Sequence, residues 1–90
     1  MIFDFDPHKA SANFRKHGVA FSDMEPVFYD NFALTQEDDT AQGEARFVTV
    51  GIGAVGRVVT ICWTEREHHI RLISARLATS EERKHYEKRI

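Results

Sequence analysis

One cysteine, two prolines and five glycines occur among 90 residues, and no apolar run approaches the ~18 residues that cross a membrane as a helix. The lone Cys62 cannot close an internal disulfide, so the fold must be held by packing. No repeat, low-complexity tract or linker divides the chain, and one domain over residues 1–90 is expected. That length is too short for the repeated βαβ units of a dinucleotide-binding domain. The opening MIFDFDPHKA lacks the basic-then-apolar pattern of a secretory signal, so a cytoplasmic protein with no membrane partner is expected. Positive charge is also scarce overall, with a formal net charge of −2. It is unevenly spread: residues 1–56 carry 4 basic and 9 acidic side chains, residues 57–90 carry 8 basic and 5 acidic. The basic second half is compatible with a phosphate-bearing ligand, and equally with a solvated helix face and strand-edge charges.

The pattern of what is present changes along the chain. Residues 2–5, IFDF, alternate as a short strand, and Asp6-Pro7 reads as an N-cap followed by proline at the first helical position. A helix is expected from there to about Lys16, with a thin stripe of Ala10, Asn13, Phe14 and His17, ended by Gly18. Ser22 can cap a second short helix holding Met24, Val27 and Phe28, loosened by Pro26. Then strand grammar takes over: FALT, an acidic loop at 37–44, ARFVTVGI, RVVTICWT, a turn at EREH, and HIRLISARL. Thr79-Ser80-Glu81-Glu82 forms a capping box, which predicts a helix over about 80–89. The order β-α-α-β-β-β-β-α describes an α+β fold, a small antiparallel sheet packed by helices.

GIGAVG at 51–56 matches the G-x-G-x-x-G of a dinucleotide loop. That loop needs a helix after it to receive the pyrophosphate, whereas here a strand follows. A hairpin connection with glycines at positive φ, and Gly51 at a bulge, is the expectation, and no cofactor is expected. No metal is expected either, because adjacent His68 and His69 point to opposite faces of a strand and neither His-x3-His nor Cys-x2-Cys occurs. Cys62 lies in an apolar strand, as a buried structural thiol would.

Arginines are the unusual feature of the strands: Arg46 and Arg57 open two of them, and Arg71 and Arg76 lie within HIRLISAR. A guanidinium holds phosphate oxygens in bidentate fashion and stays charged at any working pH. Residues 71 and 76 face opposite sides of a regular strand, so they share a face only through a bulge or if Arg76 ends the strand. The other reading makes them surface cations paired with nearby carboxylates, as Lys16 and His17 suit a helix C-terminus.

Three stretches carry a family resemblance: FDFDPHKASANFRKHGVAF at 3–21, GEARFVTVG at 43–51 and IRLISARLATSEERKHYE at 70–87. In this order and spacing, over nearly the full length, the chain resembles the BrnT family, toxins of bacterial type II toxin–antitoxin systems. The resemblance implies a RelE-like fold and an RNA-cleaving activity that blocks translation. It also implies a cognate BrnA-like antitoxin with a ribbon-helix-helix portion, operator DNA being touched only by the toxin–antitoxin complex. Ala45 stands where relatives carry another polar or acidic residue, so Glu44 and Arg46 are carried over without it.

Metal-free RNA cleavage, in which a 2′-hydroxyl attacks the neighbouring phosphate, needs a proton acceptor, a proton donor and positive charge. Glu44 suits the base, Arg57, Arg71 and Arg76 suit phosphate stabilisation, and Lys16 and Arg46 suit RNA binding. His17 and His85 rank lower as proton carriers. Across the hairpin Glu44 and Arg57 fall roughly 20 Å or more apart, so at most one belongs with Arg71. The competing expectation is a non-enzymatic interaction module, partner or co-repressor of a DNA-binding protein.

Overall fold

The computed structural model describes residues 2–40 and 42–90; Met1, and Ala41 within the acidic loop, lie outside the described residues. The chain runs β1 (Ile2–Asp4), α1 (Pro7–His17), two 3₁₀ turns (Phe21–Asp23 and Glu25–Tyr29), β2 (Leu34–Glu37), β3 (Phe47–Ile52), β4 (Val58–Arg66), β5 (His69–Leu77) and α2 (Ser80–Glu87). This is the α+β order expected, with sheet order β1-β5-β4-β3-β2. β2 to β5 are antiparallel neighbours, but β1 joins β5 in parallel, which makes the sheet mixed. Parallel neighbours need a long crossover, and the whole stretch from α1 to β4 supplies it.

α1 begins and ends as its sequence dictates. Asp6 accepts a hydrogen bond from the His8 amide at 2.8 Å, Pro7 fills the first turn, and Gly18, at φ 69°, donates its N–H to Phe14 O at 2.8 Å. Of the expected stripe, Ala10 and His17 are partly buried and Phe14 is 55% exposed, whereas Asn13, 8% exposed, is buried. The reason lies on β5. Because β1 pairs only with residues 69–71, the edge of β5 beyond them is bare. The Asn13 side-chain amide fills it, donating to Ala75 O at 2.8 Å and accepting from Ala75 N at 3.1 Å, while also donating to Val19 O at 3.1 Å. One amide side chain thus substitutes for a strand residue and satisfies buried backbone groups.

The second helix expected after Ser22 is two 3₁₀ turns, and Ser22 caps neither. Pro26 lacks the N–H an α-helix would use there, and the tighter turns still bury Phe21, Met24 and Val27. These residues close over one sheet face, where Val59, Ile61, Leu72 and Ala75 complete the core with Val19. Each large apolar side chain buried there contributes about 1.5–3 kcal/mol. Trp63 stacks on Phe47 with ring centroids 4.7 Å apart and donates its indole N–H to Thr49 Oγ1 at 2.8 Å.

The glycine stretch is a hairpin connection, yet only Gly56, at φ 77°, needs glycine for its backbone. Gly51 is an ordinary pair of Val59, not a bulge. A Cβ there would stand 3.0 Å from Val27 Cγ1, and one on Gly53 would stand 3.1 Å from Asp23 O. Both glycines let the 3₁₀ segment lie directly against β3, where Ala54 N donates to Asp23 O at 2.9 Å.

Candidate active site

The sheet face opposite the core is half covered. α2 lies over the end that bears Val50, Thr60 and Arg76, with its capping box formed as expected. Tyr86 pins it, donating its hydroxyl to Asp30 Oδ2 at 2.6 Å. Burial and that bond push the Tyr86 hydroxyl up to about 12. Burial alone would raise the Asp30 carboxyl, but hydrogen bonds from Tyr86 and from the Phe32 and Ile52 amides hold it below its ordinary range.

What the uncovered half displays depends on one irregularity. Cys62 pairs with Ser74 but Trp63 pairs with Leu72, so Ile73 is an extra residue on β5. An extra residue reverses the alternation of side chains beyond it. Arg76 therefore lies opposite Thr60 and Arg71 opposite Thr64, on the same face. They still stand four β4 residues apart, about 13 Å, at opposite ends of that face.

Each arginine has a distinct setting. Arg76 grips Glu82 with both nitrogens, at 2.8 and 3.1 Å, and so ties α2 to the sheet. Glu82 also accepts from Thr60 Oγ1 at 2.9 Å and from the Thr79 amide at 2.8 Å. The Arg76 bond, reinforced by those donors, holds the Glu82 carboxyl at about 2. Arg57 is exposed in the β3–β4 loop, nine residues and roughly 30 Å along β4 from Arg66. Arg71 lies at the uncovered end, its Nη1 3.5 Å from Asp4 Oδ1. Arg46 precedes β3 on the same face and end, and its backbone O accepts from Asp38 N at 2.8 Å. Among the described residues, Arg46 Nε is the side-chain atom shut from solvent with no hydrogen-bond partner.

Glu44 joins this end. Its Oε2 accepts from Arg66 Nε at 2.9 Å, and that bond holds its carboxyl below the ordinary range. Of Glu44 and Arg57, therefore, Glu44 is the one that shares an end of the sheet with Arg71. Lys16 flanks the β5 bulge from α1, where Lys9, Lys16, His17, Ile73 and Ser74 line a shallow depression of about 250 Å³. A second cavity, of about 400 Å³, is lined by Asp4, Arg66, Glu67, His69 and Arg71. His85 lies elsewhere, in the groove between α2 and β2. Cys62 is half-buried on this open face, and burial pushes its thiol up.

Sequence reasoning missed Arg66, Lys9, Asp4 and His69. Lys9 carried a signal, since it stands seven residues before Lys16 and so on the same side of α1. Together Lys9, Lys16, Arg46, Arg66 and Arg71 make a cationic surface on a chain of net charge −2, suited to phosphate oxygens. Among the described residues no three His, Cys, Asp or Glu side chains come together to hold a metal ion, and no helix is long and apolar enough to cross a membrane.

A family model described as the ribonuclease toxin BrnT of type II toxin–antitoxin systems matches residues 5–82. The 1.1 Å crystal structure of the Brucella abortus ribonuclease toxin BrnT is similar in fold. It aligns with a TM-score of 0.68 over 89% of this chain and 100% of that one, at 19% identity. No curated protein sequence gives a significant match.

Proposed function

The chain belongs to the BrnT family of ribonuclease toxins of type II toxin–antitoxin systems, and on that premise we propose that it cleaves RNA without metal at the uncovered end of its sheet. Membership makes an antitoxin its partner. We propose further that this antitoxin is BrnA-like, with a ribbon-helix-helix portion, that operator DNA is touched only by the complex, and that cleavage blocks translation in the cytoplasm. Residues 1–90 act as one domain in this reading.

One observation carries the placement of the site. The extra residue Ile73 turns Arg71 onto the face and end that bear Arg46, Arg66 and Glu44. These arginines would hold the phosphate, where positive charge stabilises the transition state, and Lys9 and Lys16 would track the RNA backbone. Glu44, kept ionised by Arg66, is the proton acceptor. Arg76 supports the site from a distance by fixing α2, and Arg57 lies outside the centre.

Induced expression should arrest growth and translation, and Arg71→Ala should relieve the arrest at equal protein level. Cleavage by purified toxin should persist in excess chelator. Unimpaired growth at confirmed wild-type expression, or loss of cleavage in chelator, would overturn the corresponding part. A second reading, a non-enzymatic partner or co-repressor of a DNA-binding protein, draws on the ion pairs in which Arg66, Arg71 and Arg76 already hold carboxylates. It requires purified protein to leave RNA intact while binding its partner.

A further inference from the structure

The 400 Å³ cavity at the β1–β5–β4 end holds a group that the roles above do not use. His69 and Arg71 occupy alternate positions of β5, on one face, and both meet the Asp4 carboxylate from β1. His69 Nδ1 stands 3.6 Å from Asp4 Oδ2, and Arg71 Nη1 stands 3.5 Å from Asp4 Oδ1. With Nδ1 turned to the carboxylate, Nε2 is the nitrogen left to meet a ligand. Across the ladder, Arg66 is the register partner of His69 and holds Glu44 on its other side.

Arg66 of β4 thus stands between His69 of β5 and Glu44 of the loop that leads into β3. The Arg66 guanidinium bonds the Glu44 carboxylate and lines the same cavity as the imidazole. A phosphodiester held by that guanidinium would meet the carboxylate from one side and the imidazole from the other. The groups facing His69 are Asp4 from β1, Arg66 from β4, Glu67 from the turn, and Arg71 from its own strand.

We propose that His69 is the general acid of RNA cleavage, oriented by Asp4, and this rests on the ribonuclease reading of the same site. In the step, the 2′-oxygen bonds to phosphorus as its proton passes to Glu44. The P–O5′ bond breaks with its electron pair on the 5′-oxygen, which takes the proton from His69 Nε2. The products are a 2′,3′-cyclic phosphate and a 5′-hydroxyl, and water restores both side chains to their starting states. Asp4 is a positioning residue that holds the ring's orientation.

The test uses full-length toxin and a labelled RNA oligonucleotide carrying the linkage that wild type cuts, once natural and once with sulfur in place of the bridging 5′-oxygen. His69→Gln should slow the natural linkage by about 100-fold or more and abolish the fall in rate at high pH that loss of a general acid produces. The same variant should cut the sulfur linkage at close to the wild-type rate, because a thiolate leaves without a proton. Asp4→Asn should slow the natural linkage more than the sulfur linkage, as a misaligned acid would. Equal losses on both linkages, or an unchanged rate and pH profile, would overturn the role of His69 while wild-type cleavage stands. RNA left intact by wild type would instead overturn the ribonuclease reading and this proposal with it.

Discussion

Glu82 shows how much one side chain carries. Its carboxylate caps α2, receives Thr60 from β4 and binds Arg76 from β5. Arg76 holds it at about 2, against an ordinary value of 4.5. A depressed carboxylate contributes stability that is present above pH 4.5 and lost as pH falls toward 2. After discounting for solvent around the pair, Glu82→Gln should cost about 1–2 kcal/mol at neutral pH. In urea denaturation the gap between wild type and variant should narrow as pH is lowered from 4.5 toward 2. A gap that stayed constant with pH would refute the assignment. The capping box itself was legible, because Thr79 and Glu82 are three residues apart and their bonds are local. The bond to Arg76 was not, because residue 76 is turned to the face that α2 covers only by tertiary packing. The same holds for Asn13: its place in the stripe of α1 was legible, but its bonds to Ala75 were not, because they join residues 62 apart.

Among the elements, the tight turn between β4 and β5 is the strained one. Glu67 and His68 have φ of 50° and 67°, the left-handed pair that a two-residue hairpin requires. Asn-Gly adopts that turn readily, and an ordinary residue there costs about 1–2 kcal/mol. Replacing the pair by Glu67→Asn and His68→Gly should raise the Tm by several degrees, since about 1 kcal/mol corresponds to ~4–8 °C in a chain of this size. An unchanged or lower Tm in a thermal scan would contradict the strain. Arg66 and His69 flank the turn and should keep their register. Strands and α1 were readable from alternation and end signals, and EREH was read as a turn. The 3₁₀ character of residues 21–29, the parallel β1 and the bulge at Ile73 were not, because each is decided by what packs against the segment.

For the molecule as a whole, α2 divides one sheet face into a covered and an uncovered end. α2 closes the end at Val50, Thr60 and Arg76 and leaves Arg46, Arg66 and Arg71 open at the other. The acidic excess of residues 1–56 is therefore no bar to a phosphate ligand, because Lys9, Lys16 and Arg46 from that half stand beside the basic strands. Composition gave the charge of each half but not which cations share a surface. Arg57 and Arg71 both suited phosphate stabilisation by residue type, yet they stand at opposite ends of the sheet. The initial rate of RNA cleavage by Arg71→Ala and Arg57→Ala toxins, measured side by side, separates those ends. The account predicts a loss of about 100-fold or more for Arg71→Ala and a change within about twofold for Arg57→Ala. A full rate in Arg71→Ala, or an equal loss in Arg57→Ala, would contradict it.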